Sequence, residues 1–580
     1  LQLSGWPETW PARVFLLLAW VGHFATVAAA TGLVAALCGL AWPNRRWITG
    51  LAVGLFGLVA MAVIVDSIVF KLFRFHLNGM VWSLLWNGQI TDILPLSANT
   101  WTIAGLIVIL TLLGEAVLAM GVWRWVRGRT RFGKTIVWTV VAVVAAGQVM
   151  HLWAEAAQYT PVTKLVRYFP AFKPLTAKRT LRRLGWMKEA NEQAVTFQSG
   201  RTALKYPLEA ISCPKPVTLS NLVVIVIDGW RFDMLSEAVT PNLWRFSQSN
   251  QRFEQHSSVA NATRFGIFTL FYGLYGTYWN AMLAEQRGPV LISQLNRAGC
   301  QFGIFATAPL TSPEFDRTVF VEVRQQIAPR AEGASVPQRD ENITRRMLAF
   351  LDGRDRTRPF FAFVFYDSTH AYDYPPDVPA PFQPSLLRVD HLKFDQNYDP
   401  VPLRNRFLNA AHYVDTLAAQ VLQRLEEESL LDQTVVLITG DHGQEFNDTG
   451  KNYWGHNGNF SRWQSRVPLI VHWPGRPPGV FAHQTSHLDI APTLMRDLLQ
   501  CATPFENYSN GRQLWDPAPR IPLVAASWGC MALLSPGRID VMFDGGYSEH
   551  LDEDYREIST RTPSKFIAVA MEGMSRFYMR

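Results

Sequence analysis

At 580 residues the chain is too long for a single hydrophobic core, so two or three domains are expected. Its 54 Lys and Arg exceed its 47 Asp and Glu by seven, but the excess is local: residues 1–190 hold 18 basic against 6 acidic side chains, and residues 191–580 hold 36 against 41. The basic balance therefore belongs to the first third, and the remainder gives no reason to invoke nucleic acid.

Before residue 157 lie four apolar runs, roughly 12–41, 47–70, 102–126 and 135–154, each long enough to span a bilayer. They are too long and too many for a cleavable signal, and they lack a small-residue cleavage site. The stretch RWVRGRTRFGK, Arg124 to Lys134, carries five basic residues and no acid, and the first loop contains Arg45 and Arg46, so both loops read as cytoplasmic. The large remainder then emerges on the opposite face, the periplasm of a Gram-negative bacterium. The same count places Leu1 outside, which raises the expectation of a fifth span upstream. Asp66 and Glu115 fall inside the spans, where acids are costly, and are expected to meet a partner helix or line a polar cavity.

A connector follows over residues 158–220. Lys178, Arg179, Arg182 and Arg183 recur at i, i+1, i+4 and i+5, which puts them on one face of a helix. A basic amphipathic helix just outside a bilayer suits the binding of lipid phosphates by arginine forks. The alternative is a solvated helix that pairs with the acidic remainder.

From Asn221 strands and helices alternate. Strands are predicted over 222–228, 302–307, 359–370, 434–440 and 468–475, with helices such as 289–299 and 405–428 between them. This pattern predicts an α/β domain over 221–580, a mainly parallel sheet flanked by helices, with a small antiparallel part at the C-terminus. The cysteines Cys38, Cys213, Cys300, Cys501 and Cys530 are widely spaced without a CxxC pattern, which excludes a cysteine zinc site and leaves up to two disulfides open.

The chemistry sits at strand ends. In VVIVIDGWRFD, Asp228 leaves the carboxyl end of a hydrophobic strand, and in VVLITGDHGQEF, Asp441 and His442 do the same after Gly440, which gives the chain room to turn. Two carboxylates and an imidazole suit a divalent ion such as Mg, Mn or Zn. In SSVANATRFGIFTLFYG, Thr263 stands where a helix begins, and a hydroxyl there suits an attacking alkoxide and a phosphoryl oxygen. A bound metal would ionise that hydroxyl, so Thr263 joins Asp228, Asp441 and His442 in the candidate metal set. His456, in NYWGHNGNF, and His370, in FYDSTHAYDYP, are candidates to hold the transferring group or protonate the leaving oxygen. His472 and His487 are assigned to structure, and Asp489 to a helix start.

This ordered set resembles the alkaline phosphatase and sulfatase superfamily over roughly residues 220–500, in particular its membrane-anchored branch of lipoteichoic acid synthases and phosphoethanolamine transferases. Classical sulfatases use a Cys/Ser-x-Pro-x-Arg nucleophile segment, and TRFGI departs from it, which speaks against sulfate ester hydrolysis. With FHLNGMVWSLLWN, FKPLTAKRTLRRLG and VPLIVHWPG, the chain is similar along nearly its whole length to the YejM (PbgA) family of inner-membrane proteins. The resemblance implies five spans, a basic linker that binds lipopolysaccharide through its lipid A phosphates, and a periplasmic sulfatase-like domain. It further implies a membrane part that engages LapB, restraining FtsH-dependent turnover of the enzyme committing precursors to lipid A; cardiolipin has also been proposed as a ligand. Not all members keep the metal ligands; this sequence keeps the set. Two readings follow: an inner-membrane regulator of outer-membrane lipid balance that carries a metal-dependent phosphoesterase-like site, and a membrane-anchored phosphoethanolamine or phosphoglycerol transferase or hydrolase acting on lipid headgroups.

Overall fold

A computed structural model describes residues 6–73, 76–77, 98–126, 132–157, 159–175, 203–214, 219–518, 522–543, 547–560 and 562–579. The chain forms two compact units, the first made chiefly of residues 1–193 and the second of most of the remainder. Lys178, Arg179, Arg182 and Arg183 lie outside the described residues.

The first unit holds four helices long and apolar enough to cross a membrane: α1 (Trp10–Ala41), α2 (Arg45–Phe73), α3 (Ala98–Val126) and α4 (Phe132–Ala156). Small residues bring them together, as expected where apolar burial gives little driving force. Gly22 of α1 faces Val144 of α4, and Gly57 of α2 faces Leu112 of α3. Near the end of α2 the buried Asp66 is not left for a partner helix, because this chain satisfies it. Its carboxylate lies 2.7 Å from His76 Nδ1 and accepts a 2.8 Å hydrogen bond from the Leu77 N–H. The other ring nitrogen of His76 reaches the carbonyl of Arg167 at 2.9 Å, so one imidazole ties α2 to the segment that follows α4. Glu115, half-buried in α3, has no such partner among the described residues.

In the second unit the seven-stranded sheet is built from β1 (Asn221–Ile227), β2 (Gln251–Ser257), β3 (Gln301–Ala306), β4 (Phe360–Tyr366), β5 (Thr434–Gly440), β6 (Leu469–His472) and β7 (Gly479–Ser486). Its order is β3-β4-β1-β5-β6-β2-β7. All neighbours are parallel except at β6, which runs antiparallel to both β5 and β2. The wholly buried β1, β4 and β5 read as continuous apolar runs because helices cover both faces. Four short strands, from Leu523 to Leu551, form the antiparallel sheet expected near the C-terminus. The strand predicted over 359–370 ends at Tyr366. There the buried Asp340 carboxylate accepts from the N–H groups of Asp367 and Ser368 and draws the backbone into a turn, so His370 lies beyond the strand.

Residues 203–213 belong to the second unit. The backbone of Leu208 bonds to Asn507, and Cys213 is joined to Cys501 by a disulfide. Cys38, Cys300 and Cys530 form no disulfide among the described residues.

Candidate metal and transfer site

Register places three acids side by side. β1 lies between β4 and β5, with Ile227 opposite both Tyr366 and Gly440, so the next residue of each strand, Asp367, Asp228 and Asp441, emerges at the same carboxyl edge. Gly440 is needed there for a different reason from turning: a Cβ would stand 2.6 Å from the Trp230 carbonyl oxygen, which crosses directly over it.

The helix α5 (Thr263–Tyr272) starts beneath this edge with Ala262 as its N-cap, so the Thr263 hydroxyl is not used for capping. Thr263 Oγ1 lies 3.2 Å from His442 Nε2 and donates a long 3.4 Å bond to Asp228 Oδ2. His442 Nε2 is 3.6 Å from Asp228 Oδ1 and 3.4 Å from Asp441 Oδ2. Asp441 and His442 are 0% exposed. The other oxygen of Asp441 accepts from the N–H groups of Gly229 and His442, each at 2.9 Å, which fixes the carboxylate. His442 Nδ1 faces its neighbour's carbonyl, Gly443 O, at 2.8 Å and must carry the proton, so Nε2 presents a lone pair.

This centre fits a divalent cation. Asp228 Oδ1 and Asp441 Oδ2 are buried and make no hydrogen bond among the described residues. Two such oxygens beside an imidazole lone pair are costly unless a cation joins them. Asp228, Asp441 and His442 offer one ligand atom each within 4.8 Å of one another, and Asp228, Asp367 and His370 form a second such group. Burial, and then the charge of Asp441, push the Asp228 carboxyl well above its usual range. Burial also lowers the pKa of His442, despite Asp441. His370 behaves oppositely: burial opposes its charge, but Asp228 and Asp367 raise it to about 10. Its Nδ1 is 3.3 Å from Asp367.

His456 joins the same cluster, its ring stacked on His442 at 4.3 Å between centroids and 5.2 Å from His370. It follows a two-stranded ladder of Glu445–Phe446 with Trp454–Gly455. The buried Glu445 holds this loop by accepting from Thr449, Asn459, Ser461 and Gln464. Thus Asp228, Thr263, His370, Asp441, His442 and His456 are brought together. Sequence reasoning did not assign Asp367, although it too directly follows an apolar strand. His472 and His487 lie elsewhere, His472 bonded to Asn250 and Leu431, His487 to His256 and the Gly440 carbonyl.

Family models match twice: "Domain of unknown function (DUF3413)" over residues 1–213 and Sulfatase over residues 220–498. The chain is 27% identical to the inner membrane protein YejM of Salmonella typhimurium, covering 97% of this chain and 91% of that one. It is 25% identical to an uncharacterized protein of Haemophilus influenzae, covering 99% and 91% respectively. Among solved structures, a Vibrio parahaemolyticus protein in the alkaline phosphatase superfamily is 15% identical, with a TM-score of 0.46 over 70% of this chain and 99% of that one.

Proposed function

Because the chain belongs to the YejM family of inner-membrane proteins, we propose that it is a regulator of outer-membrane lipid balance whose large domain retains a metal-dependent phosphoesterase or phosphotransferase site. The observation that carries the catalytic part is the pair of orphaned oxygens, Asp228 Oδ1 and Asp441 Oδ2, facing His442 Nε2 beside the Thr263 hydroxyl. Asp228, Asp441 and His442 would hold the ion, Mg, Mn or Zn, with Thr263 Oγ1 alongside. When bound, it supplies the positive charge that favours an alkoxide at neutral pH and offsets charge on the transferring group.

Thr263 stands in the first turn of α5, at the positive end of the helix, where unpaired N–H groups favour phosphoryl oxygens. Its Oγ1 would form the new bond to phosphorus as the ester oxygen departs. His370, which keeps its proton beside Asp228 and Asp367, would protonate that oxygen. Water or an acceptor hydroxyl would then cleave the phosphothreonine and regenerate the alcohol. A phosphate ester is favoured over a sulfate ester by the TRFGI segment, which lacks the sulfatase nucleophile pattern.

The basic loops support a periplasmic position for the large domain, and so does the Cys213–Cys501 disulfide, which needs an oxidising compartment. The run Lys178, Arg179, Arg182 and Arg183 supports binding of lipid A phosphates, and the family resemblance supports a LapB-like partner in the membrane. The test is the metal content of the purified protein against Asp441→Ala and His442→Ala, with phosphate-ester hydrolysis assayed beside Thr263→Ala. Near-stoichiometric metal, lost in the first two variants, and turnover lost in the third are expected. A metal-free, inactive wild type would overturn the catalytic part and leave the basic connector as the functional centre.

A further inference from the structure

We propose that the loop tip around Leu387 is a bilayer-docking surface. Leu387 and Leu392 enter the acyl boundary of the membrane that the chain spans, and Arg388 and Lys393 meet the phosphates of its anionic phospholipids. Neither the metal centre nor the basic connector enters the inference. Among the described residues from 203 onward, six large apolar side chains are exposed. Three of them, Leu387, Leu392 and Val401, lie in this loop and at the start of the helix Val401–Glu427 that follows it. Leu387 is 93% exposed, more than any other large apolar side chain described, those of the four apolar helices included. A single exposed leucine is ordinary, but apolar side chains grouped beside cations mark a surface that meets a partner.

Both feet of the tip are fixed. On one side the Phe382 N–H donates to Asn409 Oδ1, and the Asn409 amide donates to the Phe382 carbonyl, each at 3.0 Å. Arg406 donates to the Leu386 carbonyl at 2.8 Å, and Phe382, Leu386 and Val389 pack on the domain core. On the other side Phe394 is buried and stacks on Trp454 at 5.0 Å between ring centroids. Between these anchors Leu387, Arg388, Leu392 and Lys393 stay exposed. Over residues 385–394 the one acid is Asp390, whose carboxylate accepts from the Leu392 N–H at 3.2 Å, so the tip is net positive. Leucines flanked by Arg and Lys have the chemistry of an interfacial anchor, with apolar groups among acyl chains and cations on phosphate. The cations favour a lipid surface over an apolar protein groove. The four apolar helices also keep the chain in a bilayer, so that surface is met at high effective concentration.

The experiment replaces Leu387 by the photo-crosslinker p-benzoylphenylalanine in the full chain, reconstituted in vesicles of phosphatidylethanolamine and phosphatidylglycerol, and reads adducts by mass spectrometry. The control carries the crosslinker in place of Val480, which is 58% exposed on the edge strand β7. Both positions are at the surface, and thermal unfolding confirms that each protein folds. Phospholipid adducts are expected at 387 and not at 480. Combining Arg388→Glu and Lys393→Glu is expected to lower the yield at 387 by about five-fold or more, the factor that a single cation contributes near an anionic surface. In vesicles of phosphatidylcholine alone, the yields with and without the two changes are expected to be equal. No lipid adduct at 387, adducts to protein only, or equal lipid yields at 387 and 480 would overturn the docking surface. A yield in anionic vesicles that the two charge reversals leave unmoved would overturn the phosphate contacts of Arg388 and Lys393.

Discussion

A Cβ on Gly266 would stand 1.9 Å from the carbonyl oxygen of Asp441, so only a residue without a side chain lets the first turn of α5 lie against the end of β5. Gly266→Ala is expected to cost about 3 kcal/mol of stability, the upper range for overpacking a rigid backbone contact, measured by denaturant unfolding. The same substitution moves Thr263 from the acids and should reduce any Thr263-dependent turnover. A second buried device holds the strand itself. His487 donates from Nε2 to the Gly440 carbonyl at 3.0 Å, so its Nδ1 accepts from His256 Nε2 at 2.9 Å, and His256 Nδ1 faces the Thr485 hydroxyl. Both rings are buried and neutral: burial lowers His487 to about 3 and His256 well below its ordinary value. A histidine whose folded pKa is depressed binds its proton in the unfolded chain first. Stability therefore falls as pH drops from about 6.5 towards 3, by at most about 1.4 kcal/mol per pH unit for each ring. Unfolding midpoints across that window should slope less steeply in His487→Gln than in wild type; parallel slopes would show that the ring is not held neutral.

Among elements, the parallel triplet β4-β1-β5 turns three separate sequence positions into one acidic edge, because parallel strands in register end together. In the membrane unit the comparable device is the bridge from Asp66 of α2 through His76 to the Arg167 carbonyl. Phe70 stacks on the His76 ring at 4.5 Å, and Tyr168 meets Phe70 edge-on. Since both ring nitrogens face acceptors, His76→Ala removes the His76 contact from Asp66 Oδ2 and from the Arg167 carbonyl. A loss of about 3 kcal/mol is expected, and combining it with Asp66→Asn should cost less than the two single changes together. Thermal unfolding of the four proteins in detergent measures the coupling, and strict additivity would mean that the bridge contributes nothing.

At the scale of the molecule, the chain forms two compact units, one with the four helices long and apolar enough to cross a membrane and one with the seven-stranded sheet and the Asp228–Asp441–His442 cluster. The disulfide from Cys213 to Cys501 encloses most of the large domain in one covalent loop, with a sequence separation of 288. Thiol labelling after denaturation should find three free cysteines, and five after reduction. Paired replacement of Cys213 and Cys501 by serine is expected to destabilise the domain by about 3–5 kcal/mol. Five reactive thiols before reduction would show that the bridge does not form.

The four spans and the apolar strands ending in Asp228 and Asp441 were legible in the sequence because each is a local pattern: bilayer length, an unbroken buried run, an acid where the run stops. The position of Thr263 at a helix start was legible for the same reason, since the apolar run FGIFTLF follows it closely. Tertiary structure alone decided what those patterns meet. β2, with the polar sequence QRFEQHS, is a strand only because β6 and β7 flank it. Asp367 becomes part of the site through the register of β4 on β1, and Gln444 reaches His456 and Tyr372 through two loops distant in sequence. Pairing across a sheet or between loops depends on which surfaces the fold buries together, and no spacing along the chain encodes that.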